Sequence, residues 1–183
     1  MSEELIVQHC SPTLAGIKTG NMFSCTFQDE DDMRAALRRW NKLFSKKGLR
    51  AIPLRYQNNR ALVYIYRPTH LSRDLRDHTA CQLLRERGYG TLTPESCLLR
   101  LKDRLSHCHE FPHEIGLFLG YPPEDVCGFI DNKASGYKCV GCWKVYGDAE
   151  AARKTFAKYK KCTDIYCALL AKGQSIERLT VAG

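Results

Sequence analysis

Four basic residues crowd one short stretch of this chain: Arg67, His70, Arg73 and Arg76 surround Ser72 in the run RPTHLSRDLRD. Serine is a favoured N-cap, and its position predicts that it opens the helix that follows. Cations at a helix N-terminus oppose the helix dipole, so the arrangement calls for compensation. A phosphate or carboxylate held by the first-turn N–H groups would supply it. Asp74 and Asp77 would supply it equally well as surface partners. Arg67, His70 and Arg73 are therefore the candidate anion ligands.

These residues close a longer basic segment. From Met33 to Arg73 there are eleven Lys or Arg and no Asp or Glu, in a chain with 28 Lys+Arg against 20 Asp+Glu. The net charge of +8 thus arises in one stretch of an otherwise slightly acidic protein. Within it, Arg34, Arg38, Lys42 and Lys46 repeat every four residues, opposite an apolar stripe of Met33, Leu37, Trp40 and Phe44. Like charges at i, i+4 cost a few tenths of a kcal/mol per pair, and no acid on that face relieves them. A solvated face explains the pattern; so does a surface for nucleic acid or an acidic protein partner. Arg50, Arg55 and Arg60 extend the positive region. Zinc-finger spacing, an aromatic RNP pair and a helix-turn-helix signature are all missing.

Ten cysteines invite a metal or thiol reading. Cys139-x2-Cys142 and Cys162-x4-Cys167 superficially resemble a four-thiolate zinc site. Residues three apart on a strand face opposite ways, and residues five apart on a helix diverge by about 140°. Neither pair would converge on a metal, and His107-Cys108-His109 adds only adjacent ligands. Most of the thiols are expected to be small buried hydrophobes, so no metal and no cofactor is predicted. A thiol or metal protein stays a third function class.

LAGIKTGN contains Gly16, Lys18 and Thr19 but lacks the adjacent Gly-Lys pair of a phosphate-binding P-loop. Lys18 and Asn21 are then turn residues, placed where they could face a pocket. His113 and Glu114 precede IGLFLG, and Tyr121 follows it. On a parallel strand Tyr121 would lie at the carboxyl end, where open α/β sheets place ligands, with His113 and Glu114 at the other end.

The elements that must position these residues follow from periodicity and punctuation. Pro12 to Phe27 reads as a hairpin, TLAGI and MFSCTF joined at KTGN. Four acids at 29–32 and Lys46-Lys47-Gly48 bracket the first helix. LRAIPLRY and RALVYIYR form a second hairpin through Gln57-Asn58-Asn59. The latter strand is apolar on both faces and is expected at the centre of the sheet, covered on both sides. Helices are predicted at Ser72–Arg87 and Pro94–His107, the latter with a core face of Cys97, Leu98, Leu101, Leu105 and Cys108. Glu114–Leu119 reads as a short strand, and Pro122-Pro123-Glu124-Asp125 opens another helix. Tyr137–Tyr146 reads as a strand. Asp148 caps a final helix running to Lys172, with a possible restart at Thr163-Asp164. The expected fold is α+β (or α/β): one domain over residues 1–183, a mixed sheet of about five or six strands with helices packed on it.

With 183 residues, 44% hydrophobic and 26% charged, the chain is neither disordered nor fibrous. No apolar run approaches the ~20 residues of a membrane span. The acidic N-terminus MSEELIVQHC has no signal core, so a cytoplasmic protein without a membrane partner is expected.

HCSPTLAGIKTGNMFSC, FPHEIGLFLGYPPEDVCGFI and GYKCVGCWKVYGD with the helix through KKCTDIY together resemble a domain-of-unknown-function family (family 3793) of small cytosolic bacterial proteins. The resemblance spans nearly the whole chain, and GLFLGYPPEDV with WKVYGD carries most of it. It implies a single intracellular domain but no assigned activity or catalytic residue. The positions it picks out, Lys18, Asn21, His113, Glu114, Tyr121, Trp143, Lys144 and Tyr146, are polar or aromatic enough to line a pocket. The function expected is binding of a small anionic or phosphorylated ligand, with any attached reaction unassigned. The residues proposed for it are Arg67, His70, Arg73, Lys18, Asn21, Tyr121 and Lys144. The alternative is a basic binding module built on Arg34, Arg38, Lys42 and Lys46.

Overall fold

The computed structural model describes residues 1–107 and 110–183, whose internal contacts fall into two units. The first comprises Met1–Thr69 and Tyr159–Gly183; the second is His70–Lys158.

In the first unit, Ser2 caps helix α1 (Glu3–Leu14), accepting from the Leu5 N–H at 3.3 Å, with Glu3 and Glu4 in the first turn. The helix buries Ile6, Val7, Cys10 and Leu14. It overturns the first half of the expected Pro12–Phe27 hairpin, because Pro12 lies inside the last turn of α1. Proline has no N–H for the carbonyl four residues back, so the ladder lacks a bond there, and its own carbonyl accepts from the N–H groups of both Ile17 and Lys18. Strand β1 (Gly20–Thr26) follows. Helix α2 (Glu30–Phe44) is capped by Asp29, whose side chain accepts from the Asp32 N–H at 2.8 Å. A short 3₁₀ turn and Gly48, at φ 74°, end it. Met33, Leu37 and Phe44 are buried, and Trp40 stacks on Phe44 at 5.6 Å.

Strands β2 (Arg50–Gln57) and β3 (Arg60–Tyr66) form the second hairpin as the sequence indicated. Asn58 and Asn59 carry its turn at φ 51° and 59°, the left-handed region that asparagine tolerates best after glycine. The sheet has the order β1-β3-β2, all antiparallel, so β3 is central. Phe23, Cys25, Ala51, Ala61, Val63 and Ile65 join residues of α1 and α2 in one core.

The second unit is mainly helical: α3 (Pro68–Asp74) leads into it, followed by α4 (His78–Glu86), α5 (Pro94–His107), α6 (Ile115–Phe118) and α7 (Pro123–Asp131). A small antiparallel pair, β4 (Cys139–Val140) and β5 (Lys144–Val145), precedes the long α8 (Ala149–Ala171), which runs on into the first unit. The closing helix α9 (Ile176–Leu179) packs against α1. Asp148 caps α8 through the N–H groups of Glu150 and Ala151, as its position predicts.

Several expectations are corrected. Ser72 caps nothing: the helix starts at Pro68, whose fixed φ suits a first turn, and the next one is capped by Asp77 through the Ala80 N–H. Glu114–Leu119 is not a strand but the single-turn α6, with Ile115 to Phe118 all buried. A short continuous apolar run has no periodicity to separate the two. Tyr137–Tyr146 is two short strands folded at Gly141, and α8 passes through Thr163-Asp164 unbroken. The sheets hold three and two strands rather than five or six, and every pairing among the described residues is antiparallel. The architecture is α+β. Cys108, assigned to the core face of α5, and His109 lie outside the described residues.

Candidate functional site

The ring-lined cavity of the second unit has a volume of about 180 Å³. Its walls are His113, Ile115, Gly116, Tyr121, Asp125, Val126, Phe129, Trp143 and Lys144. They come from the start of α6, the turn after it, the inner face of α7 and the β4–β5 hairpin. The helical state of α6 is what brings His113 and Tyr121 together. Six residues as a strand would separate its ends by roughly 20 Å. One helical turn separates them by about 6 Å. The expectation that the two sit at opposite ends is thereby corrected.

Asp125 organises the cavity. It is 3% exposed, and one carboxylate oxygen accepts from the N–H groups of Tyr146 and Gly147, both at 2.7 Å. The other accepts from the indole N–H of Trp143 at 2.7 Å. Three donors satisfy the buried charge and tie the hairpin to α7. Trp143 stacks on Tyr121 at 4.7 Å and meets Phe156 edge-on at 4.5 Å. The Tyr121 hydroxyl donates to the Cys142 carbonyl at 3.2 Å, which fixes the second ring. At Gly116 a Cβ would stand 2.8 Å from Val126 and 3.1 Å from Tyr121, so only glycine permits this approach.

Lys144 supplies the positive charge among the lining residues. Its ammonium donates to the Ala134 carbonyl at 2.8 Å, and lies 4.8 Å from the Tyr137 ring centroid and 5.8 Å from that of Phe129. An ammonium has three donors, so this one hydrogen bond leaves capacity for an anion. His113 packs between Phe111 and Phe129, with centroids 5.5 and 4.9 Å away.

Glu114 turns inward from the cavity. It is buried, with an ion pair to Arg104 at 2.7 Å and the Tyr89 hydroxyl donating at 3.0 Å. Its second oxygen is buried without a hydrogen-bond partner. Burial, then the carboxylate beside it, pushes the Tyr89 hydroxyl well above its usual range. This cluster anchors the start of α6.

The other proposed residues lie elsewhere. Arg67 is 2% exposed, and its guanidinium donates to the carbonyls of Thr13 and Leu14 at 2.8 Å and Val181 at 2.7 Å. It is a cation at the C-terminus of α1, where the dipole favours it. His70 and Arg73 belong to the second unit, and Arg73 pairs with Asp74 at 3.0 Å. Lys18 is buried in the first unit, with its ammonium 5.7 Å from the Tyr159 centroid. Asn21 accepts from the Thr13 hydroxyl at 2.7 Å. Tyr146 covers Gly128, where a Cβ would lie 2.5 Å from its ring. Of the row of cations along α2 and the 3₁₀ turn after it, Arg34 pairs with Glu30 at 2.7 Å, so an acid one turn upstream does relieve that end of the row; Arg38, Lys42 and Lys46 are exposed.

Cys10, Cys25 and Cys97 are buried, and burial raises all three thiols, Cys97 to about 11. Cys139 and Cys142 lie in the second unit, Cys162 and Cys167 in the first. Among the described residues, no group of three or more His, Cys, Asp and Glu side chains is placed to hold a metal.

The sequence pattern places Asp125 only at the opening of a helix and does not single out Val126 or Phe129 for the cavity. Their only sequence signal is the helical spacing of Val126 and Phe129, which any core-facing stripe shares.

The model of a family described as protein of unknown function (DUF3793) covers residues 6–180. No curated protein matches, and no solved structure does.

Proposed function

We propose that this chain, which belongs to the DUF3793 family, binds a small planar ligand carrying an anionic group in the cavity of its second unit. One observation carries the reading. All nine lining residues come from the segments 111–130 and 136–148, and they combine stacked rings with a single lysine.

The size suits one ring system: a cavity on the order of 150 Å³ holds a benzene ring. Burying such a ring against Tyr121, Trp143 and Phe129 contributes roughly 2–4 kcal/mol. Lys144 then receives the anionic group with its remaining donors, and His113 adds a polar edge at the rim. The Asp125 and Glu114 clusters hold the walls in place before the ligand arrives, which lowers the entropic cost of binding.

The two tryptophans provide the test. Trp40 stacks in the first unit, whereas Trp143 lines the cavity. In a Trp40→Phe variant all indole fluorescence reports the site. Aromatic carboxylates and nucleotides titrated into it should quench or shift that emission with saturation. A panel that leaves it unchanged at millimolar concentration contradicts the reading.

A further inference from the structure

The face of the three-stranded sheet turned away from α1 and α2 carries a second feature. Side chains alternate between the faces of a strand. With Phe23, Cys25, Ala61 and Val63 in the core, the register places Ser24 and Thr26, Arg60 and Leu62, and Arg55 and Gln57 on the opposite face. At the turn end these residues enclose a groove of about 330 Å³ lined by Ser24, Arg55, Gln57, Asn58, Arg60, Ala61 and Leu62.

The charge of this groove is one-sided. No carboxylate lines it, and among the described residues neither Arg55 nor Arg60 has an acid within ion-pair distance. Three of the four acids that open α2 have partners of their own. Asp29 accepts from the Asp32 N–H, Asp32 from the Gln28 N–H, and Glu30 pairs with Arg34. The support is rigid for a surface site. The β2–β3 turn is a two-residue one; the Asn59 side-chain amide donates to the Gln28 carbonyl, and the Asn59 backbone carbonyl accepts from the Phe27 N–H.

We infer that this groove is a site for a tetrahedral oxyanion, the phosphate group of a small phosphorylated molecule or the free ion. Two guanidinium forks offer paired N–H donors that match phosphate oxygens, and the Ser24 hydroxyl with the Gln57 and Asn58 amides completes a donor-rich lining. The inference is independent of the aromatic cavity, which lies in the other unit.

The test is a titration of the full-length ¹⁵N-labelled protein with sodium phosphate at constant ionic strength, followed by ¹H–¹⁵N NMR. Saturable shifts at Ser24, Gln57 and Asn58 are expected. Arg55→Gln and Arg60→Gln should each weaken binding at least tenfold while retaining the parent spectrum elsewhere. Lys144→Ala should leave it unchanged. Glycerol phosphate in a second arm separates the sources: tighter binding than phosphate assigns a phosphomonoester, equal or weaker binding the free ion. Shifts that do not saturate, that acetate reproduces at the same concentration, or that persist in the Arg55→Gln/Arg60→Gln double variant would overturn the inference.

Discussion

Arg67 and Asp125 are both buried charges, and each is satisfied by hydrogen-bonding groups of the protein itself. Arg67 was, with His70 and Arg73, a candidate anion ligand because cations beside a helix start oppose its dipole and call for a compensating anion. Its type was legible; its partners were not, because they are carbonyls contributed by Thr13, Leu14 and Val181, distant in sequence. Arg67→Met should therefore destabilise the protein by at least about 3 kcal/mol, since it strands three acceptors that each cost about 1–3 kcal/mol when unsatisfied. Urea unfolding measures this; a loss below 1 kcal/mol would show that the carbonyls find other donors. Cys97 makes a pH prediction. Burial holds its thiol protonated up to about 11, against 9.0 for an unperturbed thiol. Between those values the unfolded chain releases a proton that the folded chain keeps, so stability falls as pH rises from 9 to 11. Cys97→Ala should flatten that decline in a series of unfolding curves, and an unchanged slope would contradict the assignment.

At the scale of elements, strong periodicity and capping made α2, α5, the β2–β3 hairpin and the start of α8 readable. The failures share a cause. In α1, a proline near the C-terminal end suggested a break, because it removes an intrahelical bond, yet the helix continues through it to Leu14. In α6, four consecutive buried residues suggested a strand, because burial on every side erases the 3.6-residue signature. That second error also hid the pocket, whose walls meet only because α6 is one turn long. Gly116 is the residue that makes this turn compatible with its neighbours. Gly116→Ala gains helix propensity but places a methyl 2.8 Å from Val126. A net loss of about 1–2 kcal/mol and reduced Trp143 fluorescence response are expected from thermal unfolding and emission spectra. A variant as stable as the parent would mean that Val126 yields easily.

For the molecule as a whole, the net charge of +8 and the aromatic cavity belong to different places. The acid-free run from Met33 to Arg73 lies almost entirely in the first unit, where it supplies Arg67 to the interior and Arg55 and Arg60 to the sheet groove. The cavity lies in the second unit and uses one lysine. No helix among the described residues is long and apolar enough to cross a membrane. Composition places the charge along the chain but does not say which cations are interior, since that depends on hydrogen-bond partners distant in sequence. Under the proposed function, Lys144 receives the anionic group of a ring-shaped ligand. Isothermal titration calorimetry tests it most directly, comparing an aromatic acid that binds with its uncharged amide, on the parent protein and on Lys144→Ala. Removing Lys144 should cost the acid about tenfold in affinity, as a charge-assisted hydrogen bond of roughly 1.5 kcal/mol implies, and cost the amide little. Equal losses for both ligands, or none for the acid, would contradict the account.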